Sequence, residues 1–208
     1  MSTLRTYELK QRAERQQETR RRIVEAAVEL HTMLGPARTT VTAIAERAGV
    51  TRPTVYAHFP DDRSLLEACS GHVREAVPPP DPTAWRSISD PGERLERALC
   101  DLYGYYESLE PLLENVQRDA AVMPIVAEMN VYRVRYLEEV RDLLLETWST
   151  REARARVRRA IGHALEFRTW QSLVRRQGCR TNEAVELMLA FVCAAASDEA
   201  GATKKART

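Results

Sequence analysis

The sequence predicts an all-α protein in two parts: an N-terminal helix-turn-helix three-helix domain and a larger C-terminal helical domain. Three observations carry this. Apolar residues recur at helical spacing along most of the 208 residues. Between Thr40 and Leu66, two short helices can be read with their start and stop signals. The run Val77-Pro78-Pro79-Pro80-Asp81-Pro82 lacks donors and favours extended backbone, so it divides the chain. The predicted organisation is a basic arm over 1–18, a helix-turn-helix domain with its connecting helix over 19–76, a helical domain over 77–197 and a disordered tail over 198–208. A hydrophobic content of 44% is sufficient for a real core.

Residues 1–22 hold seven cations against three carboxylates, a balance of +4 in a chain whose net charge is only +1. Such an arm either adds counterion-release affinity for DNA or is a solvated helix face. Ile23, Ala27, Leu30 and Leu34 then form the stripe of a first core helix, ended by Gly35-Pro36. Val41, Ile44, Ala45 and Ala48 define a second, short helix, with Thr40 placed to cap it and Gly49 to stop it in a left-handed conformation. Thr51 caps a third, Pro53 lies in its first turn, and Val50 with Val55 has the spacing of a hydrophobic staple. Asp61 is positioned to cap a fourth helix from about Arg63 to Ala76, with Leu65, Leu66, Cys69 and Val73 inward.

In the third helix Val55 and Phe59 face inward. Arg52, Pro53, Thr54, Tyr56 and His58 are left on the other side, and no carboxylate occurs between Thr51 and Pro60. Hydroxyls, one guanidinium and ring surface suit phosphate oxygens and base edges. By spacing alone, a three-helix packing unit with an indifferent exposed face is the competing reading.

The run T-V-x-x-I-A-x-x-A-G-V-T-x-x-T-V-Y-x-H-F, Thr40 to Phe59, resembles the DNA-binding signature of the tetracycline-repressor (TetR) family. With the preceding helix it covers roughly a quarter of the chain; the remainder is similar only in length and helical character. The resemblance implies a dimeric, all-helical transcription regulator with a C-terminal ligand-binding and dimerisation domain, most often a repressor released from a palindromic operator by a small molecule. Carried over by position, Thr51, Arg52, Pro53, Thr54, Tyr56 and His58 belong to the recognition helix or its cap. Thr40 and Thr42 approach phosphates from the helix before it. The family pattern has Lys where Asp62 stands here; the cation follows at Arg63, which either takes the phosphate contact or leaves it unmade.

In the second domain, a helix is predicted from about Pro91 to Ser108, with Leu95, Leu99, Leu102 and Tyr106 on one stripe. Pro111 starts a short helix, and Pro124 opens a long one to about Trp148. Another spans about Glu152 to Gln177, stopped by Gly178. The last runs from about Asn182 to Ala196, with Thr181 as its cap. That last helix is apolar on more than one side, which calls for cover all round and points to a homodimer. Aromatic and soft side chains gather in the middle helices. Tyr103, Tyr106, Met129, Tyr132, Phe167 and Trp170 are the candidates for lining a small-molecule effector site, or are ordinary core.

Other classes find less support. A di-iron helical-bundle enzyme needs Glu-x-x-His on two helices, and the sequence has none. With four histidines, one of them on the recognition face, no nucleophile–base pair stands out. The four cysteines are far apart, and one Cys69/His72 pair does not make a zinc site, so no metal or cofactor is expected. No apolar run is long enough to span a membrane and the polar N-terminus is no signal peptide, which predicts a cytoplasmic protein. The expected partners are a double-stranded DNA operator, a small-molecule effector and a second copy of the chain. The alternative within DNA binding is an activator or a partner-dependent regulator.

Overall fold

The computed structural model describes residues 2–148 and 154–197, and among these the regular structure is helical throughout. The predicted tail over 198–208 lies outside the described residues. The chain forms two compact units. The first comprises residues up to Pro78 together with Glu110–Asn130; the second comprises Pro79–Leu109 and the chain from Val131 onward. Residues 110–130, which the sequence reading assigns to the second domain, thus cluster with the first.

In the first unit, helix α1 runs Ser2–Met33, so the basic stretch continues the core helix instead of forming a separate arm. Leu34 lies past the helix end and is exposed, not part of its buried stripe. Helices α2 (Val41–Ala48), α3 (Arg52–His58) and α4 (Asp62–Ala76) follow. Ile23, Val24, Ala27, Ile44, Ala45, Ala48, Val55, Phe59, Leu65 and Cys69 make one buried cluster, so each helix contributes the apolar face its spacing predicts. Leu66 and Val73 are only half-buried. Burial pushes the Cys69 thiol up to about 12 and keeps it neutral.

A second, polar cluster closes this unit. Helix α5 runs Pro91–Asp119, and its last turns belong here. Asn115 Nδ2 donates to the carbonyls of His31 (3.3 Å) and Thr32 (2.8 Å), and Arg118 Nη2 donates to that of Leu34 (2.8 Å). The Thr32 carbonyl is one that the last turn of α1 leaves open, whereas the His31 carbonyl also accepts the Gly35 N–H at 3.0 Å. Asp119 is buried and accepts from the Ala37 N–H (2.9 Å) and from Arg118 Nε (2.7 Å). Burial alone raises its carboxyl pKa, but the Arg118 and Ala37 bonds outweigh that and hold it below the ordinary value. Between them, Gly35 has φ +92° and ψ 156°. An added Cβ there would meet Arg118 Nη2 at 2.2 Å and Asp119 Oδ2 at 2.3 Å, so both conformation and space require glycine.

The sequence reading ends a helix before Pro111, yet α5 continues through it. The missing N–H weakens the ladder at that point, and the boundary between the two units falls between Leu109 and Glu110. The predicted long helix from Pro124 is likewise two: α6 (Pro124–Met129) in the first unit and α7 (Val131–Leu145) in the second, parted at Asn130.

In the second unit, Leu95, Leu99, Leu102, Val140, Leu144, Ile161 and Val185 are buried. Asp81 accepts from the Thr83 N–H (2.9 Å) and starts a short 3-10 turn, Pro82–Trp85, after the proline run. The helix expected from about Glu152 to Gln177 has a start that lies outside the described residues, and it is broken. It comprises α8 (Arg154–Ala164), α9 (Phe167–Gln171) and a π-helical turn, Ser172–Arg176. The break has a tertiary cause. Tyr103 Oη donates to the Ala164 carbonyl (2.8 Å), Tyr106 Oη to the Leu165 carbonyl (2.5 Å) and Thr169 Oγ1 to the His163 carbonyl (2.7 Å). Three carbonyls are thereby satisfied without a continuous helix. Gly178, at φ +75°, ends the segment as expected. Helix α10 runs Thr181–Ala196 and is capped from Arg180, not Thr181: the Glu183 carboxylate accepts the Arg180 N–H at 2.8 Å.

Candidate nucleic-acid interface

Local chemistry builds the α2–α3 turn. Thr40 Oγ1 accepts from the Ala43 N–H (3.2 Å) and caps α2. Gly49 is left-handed, at φ 64° and ψ 41°, and the Val50 N–H closes back on the Ala45 carbonyl at 2.9 Å. Thr51 Oγ1 accepts from the Thr54 N–H (3.4 Å) and shares a hydrogen bond with the Thr54 hydroxyl (2.8 Å). Asp61 Oδ1 accepts from the Ser64 N–H (2.8 Å) and caps α4. Val50 packs against the core cluster to which the buried Val55 belongs, in keeping with a staple across the α3 cap.

Two arginines of α1 secure the opposite ends of these helices. Arg20 Nη1 donates to the His58 carbonyl at the end of α3 (3.2 Å), and its guanidinium lies over the Phe59 ring at 4.1 Å from the centroid. Arg22 Nη2 donates to the Ala48 and Gly49 carbonyls at the end of α2. A cation at a helix C-terminus satisfies orphan carbonyls and suits the dipole. Part of the basic excess therefore positions the helix-turn-helix. Arg21 forms ion pairs with Glu18 and Glu25 on its own helix. The sequence reading missed the capping role; the signal was available only in the pairing of two arginines with two helix ends that folding brings near.

The result is a short helix, α3, with Val55 and Phe59 buried and Arg52, Pro53 and Tyr56 exposed. Thr54 and His58 are half-buried, and Thr40, Thr42 and Thr51 are exposed on the neighbouring turns. The hydroxyls of Thr40 and Thr51 serve as caps. Arg63, at the start of α4, is engaged by Glu128 of α6. All nine candidate nucleic-acid residues thus lie in the first unit, eight of them along the α2–turn–α3 segment.

The six candidate effector residues do not gather as one group. Tyr103, Tyr106, Phe167 and Trp170 form a buried aromatic cluster in the second unit. The Tyr106 and Phe167 rings are edge-to-face at 5.5 Å, and the Phe167 and Trp170 centroids are 5.6 Å apart. Burial raises the pKa of both tyrosines, and their hydroxyls already hold the Ala164 and Leu165 carbonyls. Tyr132 is exposed on α7, and Met129 is half-buried on α6 in the first unit.

The first unit is a helix-turn-helix domain of the kind carried by nucleic-acid-binding regulators. Residues 23–69 match the family model described as bacterial regulatory proteins, tetR family, and the N-terminal domain of this chain belongs to that family. The chain is 45% identical over 62 residues to the HTH-type transcriptional regulator TtgR of Pseudomonas putida, a match covering 30% of each chain. It thus spans less than a third of the length of the curated relatives it matches first. Beyond the N-terminal domain, solved structures show the likeness of fold. A TetR-like transcriptional regulator from Rhodococcus sp. RHA1 has a TM-score of 0.59 at 20% identity, covering 84% of this chain and 93% of that one. NalD, the secondary repressor of the MexAB-OprM multidrug efflux pump in Pseudomonas aeruginosa, has a TM-score of 0.59 at 20% identity, covering 88% and 97%.

Proposed function

We propose that the protein is a DNA-binding transcriptional regulator that reads an operator through α3. The observation that carries this is the face of that helix. Arg52, Pro53 and Tyr56 stand exposed just beyond the Thr51 cap of α3, while Arg20 and Arg22 clamp the ends of α3 and α2 from α1. A hydroxyl- and guanidinium-bearing surface on a rigid mount suits phosphate and base-edge contacts.

The regulator acts as a homodimer. The support is α10. Ala184, Val185 and Val192 are buried, whereas Leu187, Ala190, Phe191, Cys193 and Ala194 are exposed on the same helix. That leaves a second apolar face for a second copy to cover. A dimer presents two recognition helices to successive turns of a palindromic operator, about 34–36 Å apart. Repression relieved by a small, largely apolar effector is the mode we assign. Among the described residues the Trp170 indole N–H, buried in the aromatic cluster, has no hydrogen-bond partner, and an effector with one acceptor atom on an apolar frame would satisfy it. Selection of bound sequences from random and genomic DNA tests the reading. A two-fold-related motif is the expected result; enrichment without symmetry would overturn the dimer, and no enrichment would overturn DNA binding.

A further inference from the structure

The first cation that follows the recognition helix in sequence is already held. Arg63 lies in the first turn of α4, five residues beyond the end of α3. Its Nη2 donates to Glu128 Oε2 of α6, and both side chains are about half exposed. Asp61 and Glu67 add to the negative potential around it. Helix α6 is itself seated by Val126, which is buried. A half-exposed surface pair contributes little to stability, so the fold does not depend on it. Phosphate, with its strong acceptors, competes well for an arginine in such a pair.

We propose that Glu128 is an internal competitor of DNA for Arg63, so that α6 in its observed position withholds one cation from the phosphate backbone. This rests on the DNA-binding reading above. Withdrawal of α6 from α4, or loss of the Glu128 charge, releases the guanidinium and adds one phosphate contact. The pair therefore sets operator affinity without touching a base, and it acts on all sequences alike.

The test measures affinity for a selected duplex, and its salt dependence, with the full chain and three variants. Glu128→Gln is expected to bind two- to fivefold more tightly, with the slope of log K against log[salt] steeper by about one, the value for one further phosphate. Arg63→Gln is expected to bind no more tightly than the wild type, and Arg63→Gln/Glu128→Gln no more tightly than Arg63→Gln. Unchanged affinity in Glu128→Gln overturns the proposal. So does a gain that persists in the Arg63→Gln background, because that would be general repulsion of DNA by Glu128. Circular dichroism of each variant, with Glu128→Ala as a second neutral substitution, separates affinity changes from loss of fold. A wild-type protein that binds no duplex would instead refute the DNA-binding reading itself.

Discussion

His31 makes the stability of the first unit depend on pH, and the size of the effect follows from its surroundings. The residue is 6% exposed at the end of α1, facing Asp119. Burial lowers its pKa from 6.5 to about 4, and the Asp119 charge recovers only part of that. The native state therefore holds a neutral imidazole, while the unfolded chain takes up a proton at its ordinary pKa. With the folded value depressed, the stability contribution is complete above the unfolded pKa of 6.5 and is lost as pH falls towards 4. At 1.36 kcal/mol per unit the whole shift corresponds to about 3 kcal/mol. Between about pH 7.5 and about pH 5, integration of the linkage relation gives a loss of about 2 kcal/mol. Urea unfolding of the wild type and of His31→Leu at those two pH values tests this. The leucine variant removes the titration. Its difference in stability between the two pH values is expected to be about 2 kcal/mol smaller than that of the wild type. The same difference in both proteins would refute the argument.

Three further outcomes follow from the geometry. Gly35→Ala forces a side chain into a backbone region reserved for glycine and against Asp119 and Arg118; thermal unfolding is expected to show a loss of at least about 1–3 kcal/mol. Tyr106→Phe leaves the Leu165 carbonyl without its buried donor, so denaturant unfolding is expected to report a loss of about 1–3 kcal/mol. Phe191→Glu places a charge on the exposed apolar face of α10; light scattering is expected to show monomers with unchanged helical content, whereas a dimer of unaltered stability would place the interface elsewhere.

The helix-turn-helix was legible because its determinants are local. Thr40, Gly49, Thr51, Pro53 and Asp61 each fix a helix end within a few residues, and the structure shows each at its expected place. The second unit was less legible because its breaks are tertiary. Near Leu165 only Thr169 takes part in the break; the other two bonds come from the hydroxyls of Tyr103 and Tyr106, about sixty residues away in sequence. Pro111 was misleading in the opposite sense, since a helix can pass through a proline at the cost of one hydrogen bond. The arginines of α1 could be recognised as basic, but their work as clamps depends on contacts 26 to 38 residues away in sequence that folding brings about. The polar seal of Asn115, Arg118 and Asp119 on the end of α1 was hidden for the same reason.

The claim that α3 reads DNA is tested most directly by titrating a selected duplex with the wild type, Arg52→Ala and Tyr56→Ala. Both side chains are exposed, so each substitution is expected to leave stability within about 0.5 kcal/mol. A contact that discriminates a base contributes about 1–3 kcal/mol. Each variant is therefore expected to bind the selected duplex about 5- to 150-fold more weakly than the wild type, with less change on unrelated DNA. Wild-type affinity in both variants, with helical content and unfolding midpoint intact, would contradict the assignment of this face.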